Sequence, residues 1–257
     1  MENKLRIALI QTDMAWENPQ ANRTMLENKF KDLDHEVDLI VLPEMFNTGF
    51  TMNPASNYET MQGETMGWLK QMAQQHNSAI CGSLIIKEAE AYYNRFVFVQ
   101  SDATVIHYDK RHTFTLAGED KAYTAGTQKV VLQYKGWKIC PMICYDLRFP
   151  VWSRNSEQFD LLIYVANWPN KRLLAWDTLL CARAIENMAY TIGVNRMGVD
   201  GEKLAYSGHS AIYDALGHTV VYSEKQEVLI TTLDRDEMIQ HREKFRFLQD
   251  RDQFTVM

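Results

Sequence analysis

Three apolar runs in this chain, each typical of a buried strand, end in a side chain that is able to do chemistry. Val37–Pro43 leads into Glu44, Thr104–Asp109 leads into Lys110, and Trp137–Ile143 leads into Cys144. In α/β folds, ligands and nucleophiles gather beyond the carboxyl ends of the strands. The sequence therefore predicts a carboxylate, an ammonium group and a thiol in one cleft.

Hydrophobic periodicity divides the chain into alternating helices and strands at the front and antiparallel strands behind. The predicted strands are Leu5–Thr12, Val37–Pro43, Ser78–Lys87, Tyr92–Gln100, Thr104–Tyr108, Lys129–Tyr134, Trp137–Ile143, Phe159–Ala166, Tyr190–Val194, Ser210–Asp214, Thr219–Ser223 and Val228–Leu233. The predicted helices are Asn18 to about Asp34, Thr65–His76 and Leu173–Met188, followed by a charged helical tail from Arg235. This order predicts an α/β (α+β) fold, in one domain over residues 1–257, with helices covering a sheet or a pair of sheets.

Two segments do not fit regular elements. Pro141 removes one hydrogen-bond donor from the strand Trp137–Ile143, so we expect a β-bulge there, as is common beside active sites. The segment from Arg111 to Gln128 lacks periodicity and contains two glycines. Loops of this length inside a compact domain are usually functional.

Composition excludes several classes of protein. Of the 257 residues, 46% are hydrophobic and 23% charged, as in ordinary globular proteins. The net charge of −6 and a pI near 5.7 give no electrostatic basis for binding nucleic acid or anionic lipid. The apolar run in Met1–Ile10 is too short for a signal peptide, and no run reaches membrane-spanning length. We expect a cytoplasmic protein.

Neither disulfides nor a metal site is expected. The four cysteines are too sparsely spaced for a disulfide scaffold. Cys140 and Cys144 are four residues apart, but no second Cys/His pair completes a zinc site, so we expect no metal and no cofactor. Taken singly, Cys144 fits a core cysteine, Glu44 a surface carboxylate and Lys110 a solvated basic turn. Their joint occurrence at strand ends is what favours catalysis.

The segments around these residues resemble the nitrilase, or carbon–nitrogen hydrolase, superfamily. The matching pieces occur in family order over nearly the whole chain: Leu42–Phe46, Tyr108–Phe114, Gly118–Glu119, Ile143–Pro150, Ala182–Asn187 and Ser207–Ser210. The resemblance implies a four-layer α-β-β-α sandwich that forms a homodimer, to which the tail from about 235 to 257 contributes a segment across the partner. Within the superfamily the chain is most similar to the omega-amidases, which hydrolyse the side-chain amide of 2-oxoglutaramate.

The resemblance also implies roles for individual residues. Glu44 is the general base, Cys144 the nucleophile, and Lys110 stabilises the oxyanion together with the backbone N–H of Tyr145. Glu119 matches a second glutamate that orients Lys110. Arg183, Glu186, Asn187 and His209 are interpreted as structural, and so is Arg148 in the turn after the nucleophile.

The pocket residues are predicted by their positions after the catalytic segments. Phe50, Phe114 and Trp168 are expected to line the cleft, and Arg172 to bind a substrate carboxylate, since planar bidentate recognition favours arginine. The expected partner is a small amide. The residues leave two other hypotheses open: the same site acting on a nitrile, an N-carbamoyl amine or another small amide, or an inactive binding protein. A Cys–His hydrolase is disfavoured, because no His lies in a comparable strand-end context and His107 and His112 flank Lys110 without matching a known pattern.

Overall fold

Two six-stranded sheets form the body of the molecule. The computed structural model describes residues 3–33 and 36–256, and within them the strands are β1 (Lys4–Gln11), β2 (Leu39–Val41), β3 (Ala79–Glu88), β4 (Ala91–Val99), β5 (Val105–Asp109), β6 (Leu132–Tyr134), β7 (Trp137–Ile143), β8 (Leu161–Ala166), β9 (Tyr190–Asn195), β10 (Met197–Val199), β11 (Ala205–Ser207), β12 (Ser210–Tyr213), β13 (Thr219–Ser223) and β14 (Glu227–Asp234). The first sheet has the order β14-β1-β2-β3-β4-β5 and the second β13-β12-β9-β8-β7-β6, while β10 and β11 form a separate ribbon.

Seven α-helices lie outside the sheets. They are α1 (Pro19–Lys31), α2 (Pro54–Asn57), α3 (Glu64–His76), α4 (Glu119–Ala122), α5 (Pro150–Ser153), α6 (Leu173–Asn187) and α7 (Arg235–Phe245) within the described part of the chain. The side chain of Asn18 accepts a hydrogen bond from the backbone of Ala21 and caps the start of α1. Helix α3 ends where Asn77 adopts a left-handed conformation, with φ of 49°.

The inner strands β1 and β2 of the first sheet are buried on both faces. Successive residues of β1 alternate between two cores: Ile7 and Leu9 face the second sheet, whereas Ala8 and Ile10 face the helices α1 and α3. This alternation follows from the two-residue period of a strand, and it explains why the sequence reads as a continuous apolar run. Strand β14 pairs antiparallel with β1 along its whole length, so the end of the chain completes the first sheet.

The second sheet is covered on its outer face by α6. Gly193 on β9 makes this close approach possible, because a Cβ there would lie 2.3 Å from Leu180 Cδ1 and 2.7 Å from Trp176 Cζ2. Since α1 and α3 cover one sheet and α6 the other, the layers are α-β-β-α. The four-layer sandwich expected from the sequence is confirmed.

The bulge expected at Pro141 is wrong. The parallel register of β7 on β8 runs without a shift from Ile139 opposite Leu161 to Ile143 opposite Val165. On the other side, β6 begins at Leu132 opposite Ile139, so Pro141 lies beyond the residue pairs of that ladder. A proline causes no disruption where no ladder partner is waiting.

Several predicted elements differ from the structure at their ends. Strand β2 contains only three residues, and β6 begins at Leu132 rather than at Lys129. Helix α1 ends at Lys31, and its predicted end at Asp34 lies outside the described residues, as do Met1 and Met257. The ribbon of β10 and β11 and the one-turn helices α2, α4 and α5 were not predicted, because elements this short carry too few residues for periodicity to show.

Candidate active site

Four strands bring their carboxyl ends to one place between the two sheets. Cys144 follows β7 directly and Lys110 follows β5 directly, while Glu44 comes three residues after β2. Asn167 follows β8, the parallel neighbour of β7. The close assembly of thiol, ammonium and carboxylate predicted from strand ends is what the structure contains.

Lys110 lies at the centre of the charged cluster. Its Nζ donates to Glu44 Oε1 at 2.9 Å and to the two carboxylate oxygens of Glu119 at 3.0 and 2.9 Å. The three side chains are at most 1% exposed. The Glu119 carboxylate is itself fixed, because its Oε2 accepts from the backbone N–H of Phe114 at 2.5 Å. Lys110 is therefore oriented by two buried carboxylates.

The Glu44 carboxylate is held from both sheets. Its Oε1 accepts from Asn94 Nδ2 at 2.8 Å in addition to Lys110. Its Oε2 accepts from the backbone N–H of Asn167 at 2.8 Å, and Asn167 Nδ2 donates to the Glu44 backbone carbonyl at 2.7 Å. With both oxygens engaged, Glu44 has one orientation, and its negative charge helps to raise the pKa of the Cys144 thiol.

The charges of the cluster do not balance. Burial by itself lowers the pKa of Lys110, but the carboxylates of Glu119 and Glu44 more than offset this and raise it above the ordinary value. Burial raises the pKa of Glu119, and Glu44 adds to the rise while Lys110 opposes it. Two carboxylates around one ammonium leave one net negative charge in a dry interior, so this cluster favours the uptake of one proton.

Cys144 has a strained backbone that aims its side chain away from the strand. Its φ is 43°, a left-handed conformation that costs a non-glycine residue about 1–3 kcal/mol. Asp146 holds the turn: its carboxylate accepts from the backbone N–H of Ile143 at 3.0 Å, from Tyr108 Oη at 2.8 Å and from the backbone N–H of His112 at 3.0 Å. The sharp turn displays the thiol beyond the sheet instead of within its pleat.

The surroundings of Cys144 disfavour ionisation of its thiol. Burial raises the pKa of the thiol well above the ordinary value, the Glu44 carboxylate adds to the rise, and Lys110 acts in the opposite direction. A thiol is a weak nucleophile until it loses its proton. Chemistry at Cys144 therefore needs a base, and Glu44 is the carboxylate that acts most strongly on the thiol.

Cys144 lines a cavity of about 400 Å³. The five residues predicted to bind substrate all lie on its walls: Phe50, Phe114, Tyr145, Trp168 and Arg172. The rings of Phe114 and Tyr145 meet edge to face with centroids 4.9 Å apart. The cavity is large enough for a small amide and mostly apolar around a few polar groups, as small-molecule sites are.

Two guanidinium groups lie on the cavity wall. Arg172 stacks over Phe114 and Arg148 stacks over Trp168, each with 4.9 Å from Cζ to the ring centroid. Over residues 3–33 and 36–256, neither arginine has a carboxylate within ion-pair distance. Arg148, interpreted from the sequence as a structural residue of the turn, thus also lines the cavity. Guanidinium groups are suited to an anionic ligand, and the acidic residues Asp200 and Glu202 line the same cavity.

The sequence did not predict three of the residues at the site: Asn94, Asn167 and Arg148. Asn94 interrupts an apolar strand with a polar residue, which is a weak signal, and Asn167 sits at the end of β8 as the other three groups sit at theirs. Asn167 could have been found by applying the strand-end rule once more.

The residues interpreted as structural have structural contacts. Arg183 donates to the backbone carbonyl of Leu147 at 2.6 Å and pairs with Glu186 at 2.9 Å. His209 pairs with Asp177, and Asn187 Nδ2 donates to the backbone carbonyl of Ser153. These contacts fix the turn after Cys144 and the outer helix rather than the cavity.

His112 does not pair with the thiol. Its Nδ1 lies 2.8 Å from Asp146 Oδ1 and its ring stacks on Phe149 at 3.7 Å, whereas the charged groups acting on Cys144 are Glu44, Lys110 and Glu119. Within the described ranges, three or more His, Cys, Asp or Glu side chains nowhere group as metal ligands would. No helix in that part of the chain is both long and apolar enough to cross a bilayer.

Comparison with known proteins agrees with this geometry. The model of the family described as carbon-nitrogen hydrolase matches residues 6–243. The omega-amidase YafV of Yersinia enterocolitica is 42% identical over 98% of this chain and 99% of its own, and the 2-oxoglutaramate amidase of Bacillus subtilis is 29% identical over 96% and 97%. The crystal structure of a CN-hydrolase superfamily protein from Xanthomonas campestris superposes with a TM-score of 0.97 at 39% identity, covering 99% of both chains.

The match of the family model therefore extends over both sheets, from β1 to within α7, and includes every residue of the charged cluster. A relative above 40% identity spans almost the full length as well. The chain belongs to the carbon–nitrogen hydrolase family.

Proposed function

We propose that this protein is an omega-amidase that hydrolyses the terminal amide of 2-oxoglutaramate to 2-oxoglutarate and ammonia, with Cys144, Glu44, Lys110 and Glu119 as its catalytic residues. The names of the relatives support the substrate class. The observation that carries the proposal is the thiol of Cys144 in a cavity that Arg148 and Arg172 also line, together with a buried carboxylate–ammonium–carboxylate cluster.

The first half-reaction forms a thioester. Glu44 accepts the thiol proton as the sulfur attacks the amide carbon, and the carbonyl π electrons move onto oxygen. Lys110 Nζ and the backbone N–H of Tyr145 stabilise that oxyanion; one fixed charge about 4 Å away at an effective dielectric near 20 contributes roughly 4 kcal/mol. As the C–N bond breaks, the proton on Glu44 passes to the leaving nitrogen, and ammonia departs.

The second half-reaction reverses the proton transfers with water in place of ammonia. Glu44, again ionised, accepts a proton from water while the oxygen of that water attacks the thioester carbon. The tetrahedral oxyanion collapses, the C–S bond breaks, and the proton held by Glu44 returns to the sulfur. Glu119 keeps Lys110 in place throughout, because it accepts two of the hydrogen bonds of the ammonium group.

Arg172 and Arg148 are proposed to bind the substrate carboxylate. Both line the cavity that Cys144 also lines. A short amide with a free carboxylate can then be held by its anionic end, which fixes the scissile amide over the sulfur and converts binding energy into orientation. The stacked aromatic rings hold each guanidinium plane in one orientation before the substrate arrives.

Arg172→Ala is expected to raise KM for 2-oxoglutaramate about tenfold or more, since a hydrogen bond to a charged group contributes roughly 1.5–3 kcal/mol. The KM for a neutral amide of similar size should change little. Steady-state ammonia release with both substrates measures the difference. Lys171→Ala, at the exposed neighbouring position, is the matched control and should leave both values unchanged. Equal losses on both substrates would contradict the ionic anchor.

A substrate panel tests the proposal as a whole. Ammonia release from 2-oxoglutaramate, 2-oxosuccinamate, a neutral amide, a nitrile and an N-carbamoyl amine is compared at equal concentrations. The carboxylated amides are expected to give the highest kcat/KM. A better nitrile or N-carbamoyl substrate would keep the catalytic residues and overturn the substrate. If no substrate turns over and Cys144 resists alkylation, the chain is an inactive binding protein.

A homodimer is the proposed assembly, and the chain is proposed to act as a single domain in the cytoplasm. Arg235 and Arg242 bind Asp160 at 2.8 and 3.1 Å, which ties α7 to its own chain. The segment beyond α7 exposes Phe247 at 56% and Phe254 at 44%, and exposed apolar surface of this kind is typical of an interface.

Light scattering at micromolar concentration is expected to give twice the mass of the 29.9 kDa chain. Phe247→Arg should shift the protein towards monomer, because a charge would enter the proposed contact. Val220→Arg, at a position 38% exposed on β13, is the control and should not. A monomer in the unsubstituted protein would remove the dimer.

A further inference from the structure

Asn94, on β4 opposite Ile85, contacts three members of the charged cluster at once. Its Nδ2 donates to Glu44 Oε1 at 2.8 Å and to Glu119 Oε1 at 3.2 Å. Its backbone carbonyl accepts from the backbone N–H of Lys110 at 3.0 Å. The residue is 1% exposed, so these contacts are made without competition from solvent.

The side-chain NH2 group of Asn94 makes these bonds, while its side-chain carbonyl makes none in the described residues. In the described part of the chain, Asn94 Oδ1 is buried and has no hydrogen-bond partner. A buried carbonyl without a partner lowers stability, and its presence calls for an explanation. Leucine would fill the same space without that cost, so what asparagine adds at this position is the pair of N–H bonds to two carboxylates.

Those bonds act on two carboxylates that lie close together and repel each other. Glu44 Oε1 and Glu119 Oε1 share the same two donors, Lys110 Nζ and Asn94 Nδ2, and two like charges so close together favour protonation. Besides Lys110, the titratable groups that face the two carboxylates are Cys144 and Tyr123. Asn94 is the uncharged donor that bridges the pair.

We propose that Asn94 is a positioning residue that fixes the carboxylates of Glu44 and Glu119 around Lys110, so that Glu44 is in place to accept the proton of the Cys144 thiol. The proposal rests on the proposed function, in which Glu44 is the general base. Asn94 itself does not touch the reacting atoms; it acts through the two carboxylates.

The test compares the wild type with Asn94→Leu and Asn94→Asp, two substitutions of nearly the same size. The rate of Cys144 alkylation by iodoacetamide is followed against pH by mass spectrometry, and kcat and KM are measured with 2-oxoglutaramate. A carboxylate that loses a donor ionises less readily, so more alkaline solution is needed to keep it charged. The acid-side midpoint is expected to move up by roughly half a pH unit or more, and further in Asn94→Asp, which adds a third carboxylate.

In both variants kcat is expected to fall about tenfold or more while KM stays within about twofold, since a base and not a binding group is affected. Thr191→Val is the matched control: Thr191 is also fully buried and its Oγ1 also has no partner in the described residues, but it lies on β9, outside the cluster. Its pH profile should match that of the wild type.

A purely structural Asn94 gives a different result. The fraction of folded, alkylatable protein then falls, while the pH midpoint stays in place, and that outcome overturns the proposal; so does an unchanged kcat in either folded variant. If Asn94→Leu does not fold, Asn94→Asp decides. Alkylation needs no substrate, so a wild type that hydrolyses no amide on the panel would defeat the proposed function while the midpoint still tests Asn94.

Discussion

Cys144→Ala is expected to abolish hydrolysis of 2-oxoglutaramate and leave the fold intact. The substitution removes the sulfur that forms the thioester, so the covalent intermediate can no longer form. The backbone keeps its left-handed conformation at this position, since alanine meets the same steric cost there as cysteine. The turn is held by Asp146, which the substitution does not touch.

Ammonia release measures the loss, and thermal unfolding measures the fold. Cys181→Ala is the matched control, because Cys181 is also a partly exposed free thiol but contacts Gly217 on the far side of α6. It should retain full activity. Full activity in Cys144→Ala with the other three cysteines present would overturn the thioester mechanism.

Lys110→Met and Glu44→Gln are each expected to lower kcat by at least about a hundredfold, as loss of an oxyanion donor or a general base does in other enzymes. The two variants should differ in stability. Lys110→Met leaves two buried carboxylates without their cation, which costs about 3–5 kcal/mol when a buried pair is broken. Glu44→Gln preserves shape and removes a charge from a cluster that carries one in excess, so its melting temperature should change less.

Steady-state kinetics and thermal unfolding of both variants check these expectations. Lys129→Met provides the control, since Lys129 pairs with Glu157 at 2.7 Å away from the cavity. EDTA should leave wild-type activity unchanged in the same assay. Activity that depends on added metal, or near-normal kcat in Lys110→Met, would contradict the assignment.

The sequence predicts the positions of Glu44, Lys110 and Cys144 well for a physical reason. Each residue follows an apolar run that is typical of a strand, and the carboxyl end of that strand fixes where the next side chain goes. Trp137–Ile143 is predicted to the residue because aromatic and β-branched side chains fill one of its faces, while Cys140 and Met142 are buried on the other.

The side chains that contact these groups could not be predicted from the sequence in the same way. Asn94 reaches Glu44 across β3, and Asn167 reaches it from the other sheet, so both contacts depend on tertiary packing that no local pattern encodes. Arg148 lies four residues after the nucleophile, and its direction depends on the turn that Asp146 holds. Periodicity indicates which face of an element is buried, but it does not indicate which residues meet across two elements.

The hydrogen bonds between Glu44 and Asn167 join the two sheets, and this determines when a newly made chain becomes active. Glu44, Lys110 and Asn94 belong to the first sheet and its connections, whereas Cys144 and Asn167 belong to the second. The base therefore sits on one half of the chain and the nucleophile on the other. Neither half holds a competent centre alone, and a newly made chain acquires its activity in the same event in which its two sheets dock.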